Sequence, residues 1–299
     1  MEQSQWTVVC RAIRLVARSF PRLKRATYSD GQVARLYFWA TLHDRPMTWA
    51  VDPANYNRRF RPRKVPSVSQ LNRRVASDRF QRLLQRVHER LAGDNHGKGL
   101  TFDGQPVQVN GVSRDRDARV GHVPGGIAGG GMGKGYKLHA VVSSTGNIPT
   151  FAVMPLNVHE LPVARHLLAA LPLDLAGVLV TADGNYDAHE LHKQVDRRGA
   201  FLVTRPRGRA KHPVTRRQMG RSRRALIDLW DSAPKLMDRV YRHRRHIERR
   251  LGNLSCTPGL LTSLPKFVRG LPRVRRFVGA KVCLYHAHRM ATGKAPMTV

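Results

Sequence analysis

The feature that most constrains this chain is a change of hydrophobic rhythm at Ala92-Gly93-Asp94-Asn95-His96-Gly97. Before it, apolar residues recur every three or four positions, the period of an amphipathic helix. After it they alternate or run continuously, as strands do. Gly, Asp and Asn clustered at the change have the composition of a linker. The 299 residues therefore divide into a helical domain at 1–98 and a larger domain at 99–299.

In the first part, Gln5 to Phe20 places Trp6, Val9, Ile13 and Val16 on one helical side, and Pro21 closes the segment. A second helix starts behind Ser29-Asp30 and runs through Val33, Leu36 and Trp39. Ser67-Val68-Ser69-Gln70 has the S-x-x-Q form of a capping box. The short helix it opens carries Gln70, Asn72, Arg73 and Arg74 beside Val68, Leu71 and Val75. Gln, Asn and Arg make bidentate contacts to base edges, which suits a recognition helix of the helix-turn-helix kind; a polar surface helix has the same pattern. Asp78 to Leu91 is a further amphipathic helix.

In the second part, strands are expected at Leu100–Val109, Tyr136–Ser143, Ile148–Met154, Gly177–Ala182 and Ala200–Thr204. Helices are expected at His159–Leu171, Ala188–Arg198, Arg224–Ser232 and Arg239–Leu254. The order β-β-β-α-β-α-β-α matches a ribonuclease H-like α/β domain, a mixed sheet with flanking helices; by order alone it also fits other α/β folds. Gly121 to Gly135 holds eight glycines and reads as a loop between the first two strands. It is no P-loop, because Ala128 and Gly135 stand where Gly and Ser or Thr are required.

Charge narrows the partner. Lys and Arg number 53 against 20 Asp and Glu, a net +33, while 41% of residues are hydrophobic, so a folded protein and not a disordered tail carries the excess. Phe201 to Ala225 contains nine basic residues and no acid, marking a basic insertion at about 205–225, and no acid follows Glu248. Phosphate backbone is the natural neutraliser of such blocks, and on charge alone an RNA-binding protein without chemistry meets this equally well. No apolar run reaches 18 uncharged residues and the N-terminus has no basic-then-apolar order, so a soluble, cytoplasmic protein without a membrane partner is expected. Cys10, Cys256 and Cys283 are too widely spaced to suggest a zinc ribbon or a disulfide, and His243 and His246 lack the cysteine partners of a zinc site.

Three acids need explaining. Asp103 sits in the first strand of the second domain and Asp183 leaves the fourth; each precedes Gly, a common turn dipeptide. Glu248 falls beside the apolar stripe Val240, Ile247, Leu251 and Leu254 of its helix, on the same edge as Tyr241 and Arg244. An Arg244–Glu248 ion pair at i,i+4 would by itself account for it. In a ribonuclease H-like sheet the first and fourth strands are neighbours, and a helix after the fifth can lay a side chain over their ends. Three carboxylates meeting there would repel one another and need cations, and hard oxygen donors suit Mg²⁺ or Mn²⁺.

From about Leu100 onward the chain resembles the DDE transposases of bacterial insertion sequences. The resemblance rests on Thr101-Phe102-Asp103-Gly104, Gly135-Tyr136-Lys137-Leu138-His139-Ala140, Pro155-Leu156-Asn157-Val158-His159-Glu160, Ala182-Asp183-Gly184-Asn185-Tyr186-Asp187 and the Tyr-x-x-Arg-x-x-x-Glu signature at Tyr241, Arg244 and Glu248. It implies that Asp103, Asp183 and Glu248 are the catalytic triad holding two Mg²⁺ or Mn²⁺ ions. It further implies that Tyr241 and Arg244, with Lys137 and Arg205, hold double-stranded DNA, namely element ends and target. Cleavage and strand transfer by paired protomers on nucleoid DNA would follow. Ser255 departs from the extended signature, which has Lys seven residues after the Glu. The alternative is a non-enzymatic, sequence-specific DNA-binding protein derived from a decayed transposase.

Overall fold

The structure is a computed structural model that describes residues 2–93, 97–109, 113–123, 131–171, 174–206, 219–256, 260–261 and 263–295. Most of the basic insertion, 207–218, and the middle of the glycine-rich stretch, 124–130, lie outside the described residues. In chain order the helices are α1 (Glu2–Arg18), α2 (Asp30–Leu42), α3 (Met47–Ala50), α4 (Val68–Ala76), α5 (Asp78–Ala92), α6 (Glu160–Ala170), α7 (His189–Asp196), α8 (Arg221–Ser232), α9 (Pro234–Cys256) and α10 (Leu271–Ala291). The strands are β1 (Gly99–Gln108), β2 (Arg119–Val123), β3 (Gly131–Ser143), β4 (Thr150–Pro155), β5 (Leu179–Ala182) and β6 (Phe201–Val203).

The chain forms two units. The first comprises 1–93, 108–118 and 254–299, and the second 94–107 and 119–253. The first is helical. Trp6, Val9, Ile13 and Val16 are buried on the inner side of α1, and Trp6 packs edge-on against Trp39 of α2 with centroids 4.8 Å apart. Ser29 and Ser67 each close a reciprocal capping box, with Gln32 and Gln70, and so fix where α2 and α4 begin.

The reading of 99–299 as one domain is corrected here, because residues 254–299 belong with the helical unit. Their helix α10 is buried on every side from Phe277 to Ala287, so it needs partners all round, and α1, α2 and α5 supply them. Even Lys281 is fully buried, its ammonium 2.8 Å from the Asp44 carboxylate. Segment 108–118 belongs to this unit for a specific reason. Asp115 accepts from the Gly270 N–H at 3.0 Å and Asp117 from the Leu271 N–H at 2.7 Å, so two carboxylates cap the positive end of α10.

The second unit is a mixed sheet with flanking helices. Strand order is β2-β3-β1-β5-β6, and β4 also pairs with β3. β3 pairs antiparallel with β2 through Gly131–Gly135 and with β4 through Tyr136–Val141, while β1, β5 and β6 run parallel. Val163, Leu167 and Leu168 of α6 and Leu191 and Val195 of α7 pack with Leu100, Phe102, Val141, Val180 and Leu202 of the sheet in one core. The glycine-rich stretch, read as a loop, is strand at both described ends. Glycine is needed there for close approach: a Cβ on Gly121 would lie 2.9 Å from both Leu156 Cγ and its carbonyl oxygen. Among the described residues no helix is long and apolar enough to cross a membrane, and Cys10 and Cys283 are free thiols.

Candidate functional site

Parallel pairing of β1 with β5 matches Thr101 to Thr181 and Phe102 to Ala182; the two threonine hydroxyls share a 2.5 Å hydrogen bond. The next residue on each strand is an aspartate. Asp103 thus sits beside Asp183, where β5 ends and a 3₁₀ turn, Gly184–Tyr186, begins. Asp183 caps that turn by accepting from the Asn185 N–H at 3.1 Å, and Asp103 accepts from the Gly104 N–H at 2.9 Å. Backbone donors set both carboxylates in place and leave acceptor capacity over.

Glu248 reaches the same place from α9. Burial, with the charge of Glu248 added, pushes the Asp103 carboxyl up to about 7, while the Gly104 N–H and Arg244 oppose the rise. Burial also raises Glu248, where Arg244 opposes and Asp183 adds to the shift. Glu248 of α9 therefore links the two aspartates electrostatically: its charge acts on Asp103, and it feels that of Asp183. The i,i+4 ion pair between Arg244 and Glu248 is also formed, with both side chains half-buried. Among the described residues no three His, Cys, Asp or Glu side chains converge tightly enough on one point to hold a single ion.

On α9, Arg244 donates to the Tyr241 hydroxyl at 2.7 Å and its guanidinium lies 5.5 Å from the Tyr241 ring centre. Arg205, just past β6, lies 5.3 Å from the same ring and reaches Asp238 at 3.2 Å. Trp230 of α8 packs edge-on against the ring, which fixes it. The Arg244 Nε is buried without a hydrogen-bond partner among the described residues. Lys137 of β3 is not a free cation: its ammonium pairs with Glu160, the first residue of α6, at 2.9 Å. The pair lies against Gly104, where a Cβ would meet Lys137 Cδ at 3.1 Å and Glu160 Oε1 at 3.3 Å.

In the helical unit, the four candidate base readers of α4 divide. Gln70 is engaged in its capping box, and Arg74 donates to Asp30 at 2.7 Å and to the Tyr28 carbonyl at 3.1 Å. Asn72 and Arg73 are exposed. Sequence reasoning missed Glu160 as a neighbour of Asp103, although it closes the segment Pro155-Leu156-Asn157-Val158-His159-Glu160. It also missed the cluster in which Asp187 accepts from the Nε and Nη2 of Arg223, at 2.9 and 2.8 Å, and lies 3.3 Å from His192.

Against known proteins, the family described as transposase DDE domain matches residues 95–256. No curated protein matches. Among solved structures, a chain of a piggyBac transposase synaptic complex with hairpin DNA is similar at 10% identity with a TM-score of 0.43, over 96% of this chain and 73% of that one, a likeness below the level that establishes a shared fold.

Proposed function

The chain belongs to the transposase DDE family, and from that premise we propose that it cuts and joins DNA at insertion-sequence ends through Asp103, Asp183 and Glu248. The observation that carries the reading is the β1–β5 register, which brings Asp103 within β1 next to Asp183 at the end of β5, with Glu248 of α9 coupled to each of them. The strand series β4-β3-β1-β5-β6 supports a ribonuclease H-like sheet, in which the central pair β1 and β5 present the two aspartates.

The donor set fits hard cations: all donors are oxygens, and like charges raise the pKa values that a cation would lower. Asp103 with Asp183, and Asp103 with Glu248, would each hold one Mg²⁺ or Mn²⁺, the second requiring Arg244 to release Glu248. Such ions, when bound, polarise the attacking oxygen and neutralise the leaving one. Around them the protein supplies positioning. Once Glu248 is released, the Arg244 guanidinium would be offered to a phosphate oxygen of the scissile strand. Tyr241, which accepts from Arg244, keeps its own hydroxyl proton to donate to a second oxygen. Arg205 faces the same strand, and the Lys137–Glu160 pair sets a cation next to Asp103. Water displaces the 3′ oxygen from phosphorus, and that hydroxyl then displaces a 3′ oxygen of target DNA, two in-line substitutions that one site can perform. In the helical unit Asn72 and Arg73 read bases, while Gln70 and Arg74 hold their helix. Two protomers on paired ends, bound to nucleoid DNA in the cytoplasm, complete the reading.

The test is to incubate the full chain with duplex carrying the DNA that borders its gene, with Mg²⁺ or Mn²⁺. Wild type is expected to nick and Asp183→Ala to leave the duplex intact. Equal nicking by both would overturn the assignment.

A further inference from the structure

The helical unit carries a cationic groove that none of the roles above uses. Its floor is α1 and α2, and its rim is the segment 59–64. Arg11 and Arg14 of α1 and Arg35 of α2 enter from one side, and Arg59, Arg61 and Arg63 from the other; all six are exposed, and the space between them is about 590 Å³. No acid among the described residues lines it. An adjoining cavity of about 660 Å³ shares Arg14 and Arg35, and its one acid, Asp30, is taken up by Arg74 and Arg79. Like charges gathered this closely repel unless an anion lies among them. A second observation points the same way. Trp6, which lines the groove and is 2% exposed, has an indole N–H without a partner among the described residues. Indole nitrogen and guanidinium groups only donate, so a ligand of this groove has to offer acceptors, as phosphate oxygens do.

We propose that this groove grips the phosphate backbone of DNA. The inference rests on the transposase reading for its choice of polyanion. It moves the main grip of the helical unit from α4 to the α1–α2 face. Backbone contacts position a duplex without reading it, so the grip is the same for any sequence.

The experiment measures binding of short random-sequence duplex to the full chain across a salt series. Variants are Arg11/Arg14/Arg35→Gln, Arg59/Arg61/Arg63→Gln and, as a control of equal charge, Arg82/Arg86/Arg90→Gln on the exposed side of α5. Each groove variant is expected to bind about tenfold or more weakly. The slope of log affinity against log salt should fall by about 0.9 for every phosphate that is no longer neutralised. The control should keep wild-type slope, and thermal melts should show all three folded. Unchanged slopes in both groove variants, or an equal loss in the control, would overturn the proposal. Asp183→Asn is run alongside: if it still nicks, the catalytic reading fails while the groove result stands on its own.

Discussion

The second unit holds two carboxylate clusters, one around Asp187 and one around Asp103, and they are wired in opposite ways. Asp187, whose side chain is 1% exposed, is saturated: Arg223 grips both oxygens, and His192 and Thr204 sit on one of them. Burial alone would raise it, but these partners override burial and hold it well below the usual carboxylate range. Asp103 is half-buried, yet the charges that act on it include those of Glu248 and Glu160, and it rises to about 7. The first cluster bolts α7 and α8 to the end of the sheet. The second gathers like charges that a bound cation would relieve, and that is the ground on which Asp103 is proposed as a catalytic acid.

The largest effect expected of this contrast comes from the saturated cluster. Arg223→Ala leaves Asp187 buried without its main counter-charge and should cost about 3–5 kcal/mol in urea unfolding. Asp103→Asn should do the reverse, lowering cleavage by about 10²–10³-fold without lowering the melting temperature. A variant of either cluster that behaved like the other would erase the distinction.

Acidity separates the two more finely. Between its depressed folded pKa and the ordinary value near 4, Asp187 binds a proton only in the unfolded chain. Its stabilisation is therefore present above about pH 4 and lost below it. Asp103 binds a proton in the folded chain up to about 7 that the unfolded chain releases near 4, so stability falls as pH rises from about 4 to about 7. Unfolding curves taken across this range in cation-free buffer should lose the acid limb in Asp187→Asn and the neutral decline in Asp103→Asn. The smallest effect concerns Arg244→Gln: its helical ion pair contributes about 0.2–0.5 kcal/mol to stability, so a clear loss of DNA cleavage with a nearly unchanged melt would place Arg244 with the substrate.

What the sequence made legible followed short-range rules. The strands β1 and β3, the cap at Ser29, the capping box at Ser67 and the helical edge shared by Tyr241, Arg244 and Glu248 all depend on residues a few positions apart, and the structure has each of them, although neither strand buries alternate residues. The register that sets Asp103 beside Asp183 depended on a topology, and β1–β5 pairing supplied it. Where partners come from distant segments, reading failed. Nothing near Lys137 announces Glu160, and nothing near Asp187 announces Arg223. Helix α10 was obscured because it has no polar side to set a period. Its arginines gather ahead of an all-round apolar stretch, so the sequence shows only a basic, helical C-terminal region without its bounds or partners.

The capping of α10 by Asp115 and Asp117 has a consequence for biosynthesis. The first 93 residues leave the ribosome long before the helix that fills their centre, and the two acids that anchor it arrive in between. Contacts so remote along the polypeptide form late and slowly. The helical unit therefore stays incomplete while the sheet is being translated, and its core closes only once residues 271–291 have emerged.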